Sequence, residues 1–161
     1  MKQIHPEKAL NLAASLCSKK EYCSKAIREK LQNWELPEKD ISQIMDFLIR
    51  HQFIDDRRYA RIYAEDKFRF NHWGKQKITR MLRQKGIPGE IITEALSGIA
   101  PAAYAENCLE ILRQKLRTLP PEEPYKTKGK LMRFALGKGF DYDTVIHCIN
   151  RLNPAFPSDD E

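Results

Sequence analysis

The sequence predicts an all-helical fold, and three observations support this prediction. Apolar residues recur every three or four positions along almost the whole chain, which is the spacing that places them on one face of a helix. Glycine is scarce, with 7 residues, and Val145 is the only valine, whereas β-branched runs are typical of strands. The chain is 42% hydrophobic and 31% charged, a balance that favours an elongated array with a large solvated surface.

Nine helices are expected, separated by proline, glycine and short polar breaks. The first helix follows Pro6, and Pro37 and Pro88 are expected to begin later helices, because the missing proline N–H would be unpaired there in any case. Gly86 is expected to end a helix, since glycine is favoured at helix C-termini. The apolar stripe of the first helix is predicted to contain Ala9, Leu12, Ala13, Leu16 and Cys17.

An internal repeat becomes visible when these helices are aligned. The turn Gly86-Ile87 and the apolar positions around it are matched 51 residues earlier around Glu35-Leu36. A third, more widely spaced copy contains the turn Gly139-Phe140. Three short helices can bury one small core, and stacked units bury more. We therefore predict three helical repeats and a disordered acidic tail, at residues 1–52, 53–99, 100–153 and 154–161.

The composition also bounds the class of protein. No apolar stretch approaches the roughly 18 residues that a membrane span needs, and the first residues lack the apolar segment of a signal peptide. The four cysteines have neither paired nor zinc-ligand spacing. A cytoplasmic protein with reduced, mostly buried thiols is therefore expected, without contact to a membrane.

No catalytic motif is found in the sequence, which lacks a nucleophile elbow, a Walker A loop and a zinc-protease motif. The adjacent carboxylates Asp55 and Asp56 invite an acid–base or metal-binding interpretation. Neighbouring side chains at a helix start point in different directions, so we expect this pair to cap the helix instead. The four histidines lie in separate elements without ligand spacing. We expect no catalytic residues, no metal and no cofactor.

Positive charge is concentrated in the middle of the chain. The net charge is +6, and residues 55–85 alone contain ten basic and four acidic residues. A merely solvated helix face usually mixes the two signs, whereas only Glu65 and Asp66 interrupt the basic residues between 57 and 85. We therefore expect an anionic partner, either nucleic acid or an acidic protein surface. The candidate contact residues are Arg57, Arg58, Arg61, Lys67, Arg69, Lys75, Lys77, Arg80, Arg83 and Lys85.

Trp73 lies within this basic segment, at a break between two helices. The simpler interpretation is that its ring covers the edge of a core. Because aromatic rings also stack on nucleic-acid bases, a contact between Trp73 and a base or a partner side chain is the second interpretation.

Two strings in the middle of the chain carry a family resemblance. The string Phe53-Ile54-Asp55-Asp56-Arg57-Arg58-Tyr59-Ala60 is close to a G-F-x-D-D-x-x-Y-A motif, with Gln52 in place of the usual glycine. The segment from Gly74 to Ile87 is close to G-x-x-x-I-x-x-x-L-x-x-K-G-I. With these strings the chain resembles the RecX family of bacterial recombination regulators. The matching positions other than Lys85 are expected to be structural, mainly as core residues and caps: Phe53, Asp55, Asp56, Tyr59, Trp73, Gly74, Ile78, Leu82 and Gly86.

This resemblance implies tandem three-helix repeats in an elongated, curved array. It implies binding to the RecA recombinase, in the groove of the filament that RecA forms on single-stranded DNA. The implied effect is inhibition of RecA's recombinase, ATPase and coprotease activities, and so control of DNA recombination, DNA repair and the SOS response. A monomer is expected, and direct contact with the single-stranded DNA is one interpretation of the basic segment. The alternative is a sequence-independent DNA-binding protein without a RecA partner.

Overall fold

The computed structural model describes residues 4–152, and all regular secondary structure in this range is helical, as the sequence predicts. The predicted acidic tail at residues 154–161 lies outside the described residues. The helices are α1 (Pro6–Lys19), α2 (Ser24–Asn33), α3 (Glu38–Arg50), α4 (Asp56–Asn71), α5 (Lys75–Gln84), α6 (Gly89–Ser97), α7 (Pro101–Thr118), α8 (Pro124–Gly137) and α9 (Tyr142–Leu152).

Pro37 and Pro88 lie where α3 and α6 begin, each directly before the first helical residue, and Pro37 has the extended backbone of an N-cap residue. One detail of the predicted helices is wrong. Leu12, predicted to lie in the buried stripe of α1, is 41% exposed, whereas Ala9 and Ala13 are buried. One residue turns a helix by about 100°, so a face centred on Ala9 and Ala13 leaves Leu12 at its margin.

The described residues divide into two compact units. The first unit consists of residues 4–62 and 82–95, and the second consists of residues 63–81 and 96–152. The division falls within α4, α5 and α6, so the predicted middle repeat contributes residues to both units. The predicted repeat boundaries therefore stay a prediction. The core of the first unit includes Ile27, Leu31, Leu48 and Ile54, and that of the second includes Leu109, Leu112, Leu131, Phe140 and Ile149.

The motif residues that are expected in a core are buried to different extents. Ile78 and Leu82 of α5 are fully buried. Phe53 and Tyr59 are only half-buried, and Phe53 packs against the core of the first unit. The family-like strings therefore combine true core positions with positions at the core's edge.

The cysteines are mostly buried and none is in a disulfide. Cys23, Cys108 and Cys148 are buried, and Cys17 is half-buried. Burial is the main cause that raises the pKa of the Cys17 thiol above its ordinary value. A thiol in this state is a weak nucleophile at neutral pH, so we assign Cys17 a packing role.

The turns that suggest an internal repeat have the same local structure. The α2, α5 and α8 helices are each followed by a residue with left-handed backbone, namely Glu35 (φ 60°), Gly86 (φ 79°) and Gly139 (φ 98°). In each turn the next residue donates its N–H to the carbonyl five residues before it. This residue is apolar and buried in all three turns. This is the Schellman ending of a helix, and it confirms Gly86 as a cap. The three buried residues that follow the left-handed positions are Leu36, Ile87 and Phe140.

A fourth turn of this kind explains why glycine is usual at the position of Gln52. Gln52 follows α3 with φ 61°, and Phe53 donates its N–H to the Leu48 carbonyl. A side chain in left-handed backbone costs about 1 kcal/mol or more, and glycine avoids this cost. We expect Gln52→Gly to raise the free energy of unfolding by about 0.5–1 kcal/mol, measured by urea denaturation. As a control, Gln43→Gly in the interior of α3 should lower this free energy by about 1 kcal/mol. A loss of stability in Gln52→Gly would contradict this account.

Candidate nucleic-acid interface

Asp55 caps the N-terminus of α4, as predicted. Its Oδ1 atom accepts hydrogen bonds from the backbone N–H groups of Arg57 and Arg58, at 3.0 and 3.1 Å. These are two of the amides that lack a partner within the helix. The carboxylate therefore fixes where α4 begins and how its first basic residues are presented.

Asp56 has a different role from the one predicted, because it caps α2 rather than its own helix. It accepts hydrogen bonds from the Ser24 backbone N–H at 2.8 Å and from the Ser24 hydroxyl at 2.6 Å. The N-cap residue of α2, Cys23, provides no side-chain hydrogen bond of its own. The two adjacent carboxylates thus hold two different helix starts, and within the described residues no three potential metal-ligating side chains converge.

Several of the ten basic candidates already have an acidic neighbour. Arg58 donates to Glu21 at 2.8 Å and to the Gln52 carbonyl at 3.2 Å, with about a quarter of its side chain exposed. This geometry makes Arg58 a structural anchor of the first unit. Arg57 pairs with Glu94 and Arg69 pairs with Glu65, and all four of these side chains are mostly exposed. Exposed ion pairs contribute little, so Arg57 and Arg69 can exchange these partners for another anion.

Arg61, Arg80 and Arg83 are the candidate arginines without an acidic partner in the described part of the chain. They are exposed, and within residues 4–152 they form no ion pair. Lys85 is half-buried after the end of α5. Arg61 and Arg83 belong to the first unit and Arg80 to the second.

The start of α5 is held by three hydrogen bonds within the second unit. The N–H groups of Gly74 and Gln76 donate to the carbonyls of Lys138 and Gly139, at 2.8 and 3.0 Å. The N–H of Lys75 donates to the Tyr104 hydroxyl at 3.0 Å. Burial raises the pKa of Tyr104 to about 12, so its hydroxyl stays protonated. Because these amides are already satisfied, the positive end of α5 is used for folding rather than for anion binding.

Two lysines lie against the ring of Trp73, and we call these three residues with Tyr63 the Trp73 patch. The Nζ atoms of Lys67 and Lys77 are 5.1 and 4.5 Å from the centroid of the Trp73 ring. The Tyr63 ring meets that of Trp73 edge-on, with centroids 6.4 Å apart. The Trp73 backbone N–H donates to the Lys67 carbonyl at 3.1 Å. All four residues belong to the second unit, and all are half-buried.

The Trp73 patch combines two features that are common in sites for single-stranded nucleic acid. Ammonium groups neutralise backbone phosphates, and an aromatic ring offers a stacking surface to any base. The lysines also hold the ring in place through cation–π contacts. The structure thus brings Lys67, Lys77 and Trp73 together, as the sequence placed them in one basic segment. Sequence reasoning missed Tyr63, although its spacing of four residues from Lys67 on α4 would have indicated a shared face.

The fold is that of a helical-repeat protein, and the Trp73 patch gives it a basic and aromatic surface. None of its described helices is both long and apolar enough to span a membrane. Residues 55–96 match the family described as "RecX, second three-helix domain", and residues 102–149 match "RecX, third three-helix domain".

Proteins named "Regulatory protein RecX" are similar to much of the chain. One from Clostridium botulinum (strain Alaska E43 / Type E3) is 37% identical over 75% of this chain and 57% of its own length. One from Clostridium acetobutylicum is 36% identical over 89% of this chain and 68% of its own length. The chain thus spans little more than half of the Clostridium botulinum relative.

Solved structures agree with this similarity. The crystal structure of RecX from Lactobacillus salivarius has a TM-score of 0.86 and 25% identity, and the match covers 92% of this chain and 97% of that one. A second, "Crystal structure of regulatory protein RecX", has a TM-score of 0.82 and 26% identity over 90% of this chain and 71% of that one. The chain belongs to the RecX family, whose named members are regulatory proteins.

Proposed function

We propose that this chain binds the RecA filament on single-stranded DNA and inhibits RecA's recombinase, ATPase and coprotease activities. In this proposal it acts in the cytoplasm as a monomer, by occupying a surface rather than by catalysing a reaction. Membership in the RecX family supports a regulatory role. The observation that carries the proposal is the concentration of ten basic residues between positions 57 and 85 of the sequence, two of which, Lys67 and Lys77, lie against the Trp73 ring.

Four of the basic residues form two pairs with different surroundings. Lys67 and Lys77 lie beside an aromatic ring, which suits them to the DNA inside the filament. The exposed Arg80 and Arg83 of α5 are suited to phosphates or to acidic side chains of RecA, because guanidinium groups bind both carboxylate and phosphate bidentately. Binding through either pair weakens as salt rises.

Reversing the charge of Arg80 and Arg83 tests this proposal. In an assay of RecA's ATPase on single-stranded DNA, we expect R80E/R83E to need about tenfold more protein than the unmodified chain for half-maximal inhibition. The control K8E/K39E makes the same change in net charge at two exposed lysines of the first unit. It should inhibit like the unmodified chain. Equal inhibition by both variants would contradict the assigned arginines, and no inhibition by the unmodified chain would contradict the proposed function.

The alternative is a sequence-independent DNA-binding protein, which the Trp73 patch alone would also support. The two functions differ in their partner. In the proposed function, RecA is retained on the immobilised chain after nuclease treatment, whereas in the alternative it is released together with the DNA.

A further inference from the structure

A pocket of about 250 Å³ lies in the second unit, on the surface of α7 and α8. Ile111 and Phe134 form its apolar part, and Lys115 and Lys138 form its charged part. His72, directly before Trp73 in the chain, lines it as well. No acidic residue lines this pocket.

The two lysines approach the same aromatic ring. The Nζ atoms of Lys115 and Lys138 are 5.1 and 5.9 Å from the centroid of the Phe134 ring. Within residues 4–152 neither lysine forms an ion pair. Both lysines line the pocket, so an anion that binds there is attracted by two positive charges. The pocket therefore has the charge and the size for a phosphate group.

Short hydrogen bonds hold the two chain neighbours of Trp73, His72 and Gly74, in place. The Lys138 carbonyl accepts the Gly74 N–H at 2.8 Å, one residue after Trp73. On the other side, Asn107 donates through Nδ2 to the Phe68 carbonyl at 2.7 Å, which fixes its amide. Its Oδ1 atom lies 2.6 Å from His72 Nδ1 and must therefore accept from that nitrogen. The ring of His72 is thus held in a fixed position at the pocket by Asn107.

We propose that Lys115 and Lys138 bind a backbone phosphate of single-stranded DNA, next to the nucleotide whose base stacks on Trp73. This inference deepens the proposed function and depends on direct DNA contact. It gives the third repeat a binding role of its own. DNA is favoured over an acidic protein segment because the pocket residue His72 directly precedes Trp73 in the chain, and an aromatic ring offers a stacking surface that a carboxylate does not need.

The test measures binding of the whole chain to a fluorescent oligo-dT strand, without RecA, over a range of salt concentrations. We expect K115Q/K138Q to lose about five- to tenfold in affinity at low salt, and the slope of log K against log [salt] to decrease by about 0.7, the value of one phosphate contact on a single strand. K115R/K138R should retain most of the affinity, because arginine preserves both charges. Circular dichroism establishes that each variant is folded.

The matched control is R117Q/K126Q, which also removes two positive charges, one from α7 and one from α8, but leaves the pocket lining intact. It should keep the salt slope of the unmodified chain. Equal slopes for K115Q/K138Q and the unmodified chain would overturn the phosphate site, as would the absence of any binding to oligo-dT. Neither result bears on inhibition of the RecA ATPase, which tests the proposed function separately. If K115Q/K138Q binds oligo-dT normally but no longer binds RecA, the pocket takes an acidic protein segment and the inference is wrong.

Discussion

Gly74→Ala is expected to destabilise the second unit by about 3 kcal/mol or more, through a contact between two stretches of backbone. A Cβ atom on Gly74 would lie 2.2 Å from the carbonyl carbon of Gly139 and 2.3 Å from the nitrogen of Phe140. No flexible side chain is available to move aside, so the start of α5 must separate from the end of α8. That separation lengthens the hydrogen bonds from Gly74 and Gln76 to the carbonyls of Lys138 and Gly139.

Urea denaturation followed by circular dichroism measures this effect. Gly89→Ala is the matched control, because a Cβ atom on Gly89 would meet nothing within 4 Å. That variant should be as stable as the unmodified chain or slightly more stable, since alanine favours a helix more than glycine does. A change of less than 1 kcal/mol in Gly74→Ala would contradict the close approach of these two backbone segments.

The same contact also disfavours any residue other than glycine at position 139. Gly139 has φ 98°, a conformation that favours glycine, and a Cβ atom there would lie 2.4 Å from the Lys77 Cβ. Lys77 belongs to the Trp73 patch. The close approach of Gly74 and Gly139 therefore also determines where one of the patch lysines is presented.

Local features of this fold could be predicted from the sequence, because they depend on neighbouring residues. Helical spacing, the turn at Gly86 and the cap at Asp55 were all predicted in this way. The contact between Gly74 and Gly139 could not be, because it joins residues 65 positions apart. The role of Asp56 was missed for the same reason, since its partner Ser24 is 32 residues away.

In the candidate site, too, contacts between residues distant in the chain could not be predicted. The sequence identified the basic segment, but it could not separate Arg58, which is held by Glu21, from the exposed Arg61 and Arg80. The pocket lysines, Lys115 and Lys138, were missed because residues 86–161 contain more acidic than basic residues. The net charge of this segment does not reveal that folding brings Lys115 and Lys138 to the same ring, that of Phe134.

The second large effect is expected from the Trp73 patch itself. A base stacked on an aromatic side chain contributes about 1–3 kcal/mol, so Trp73→Leu should weaken binding to single-stranded DNA by roughly 5- to 150-fold. Trp73→Phe keeps a ring and should lose much less. Removing the two charges in K67Q/K77Q should lower affinity mainly at low salt and reduce the salt slope by about 0.7 for each phosphate that is no longer neutralised.

Fluorescence provides a direct measurement, because the chain has only two tryptophans. Trp34 belongs to the first unit and packs against its core, so a Trp34→Phe background leaves Trp73 as the single reporter. Oligo-dT should quench its emission on stacking, and the quenching gives the affinity of each lysine variant. Unchanged Trp73 emission at a DNA concentration that saturates binding would show that the ring covers a core edge only.

The salt dependence separates the ring from the lysines. Trp73→Leu should lower affinity at every salt concentration without changing the slope, because a stacked base releases no counterions. A variant that combines Trp73→Leu with K67Q/K77Q should lose less binding free energy than the sum of the two separate losses. The reason is that Lys67 and Lys77 also hold the ring, through contacts of 5.1 and 4.5 Å. Strict additivity would mean that the lysines act on phosphates alone. A combined loss that is smaller than the sum would mean that the lysines also keep Trp73 oriented for the base.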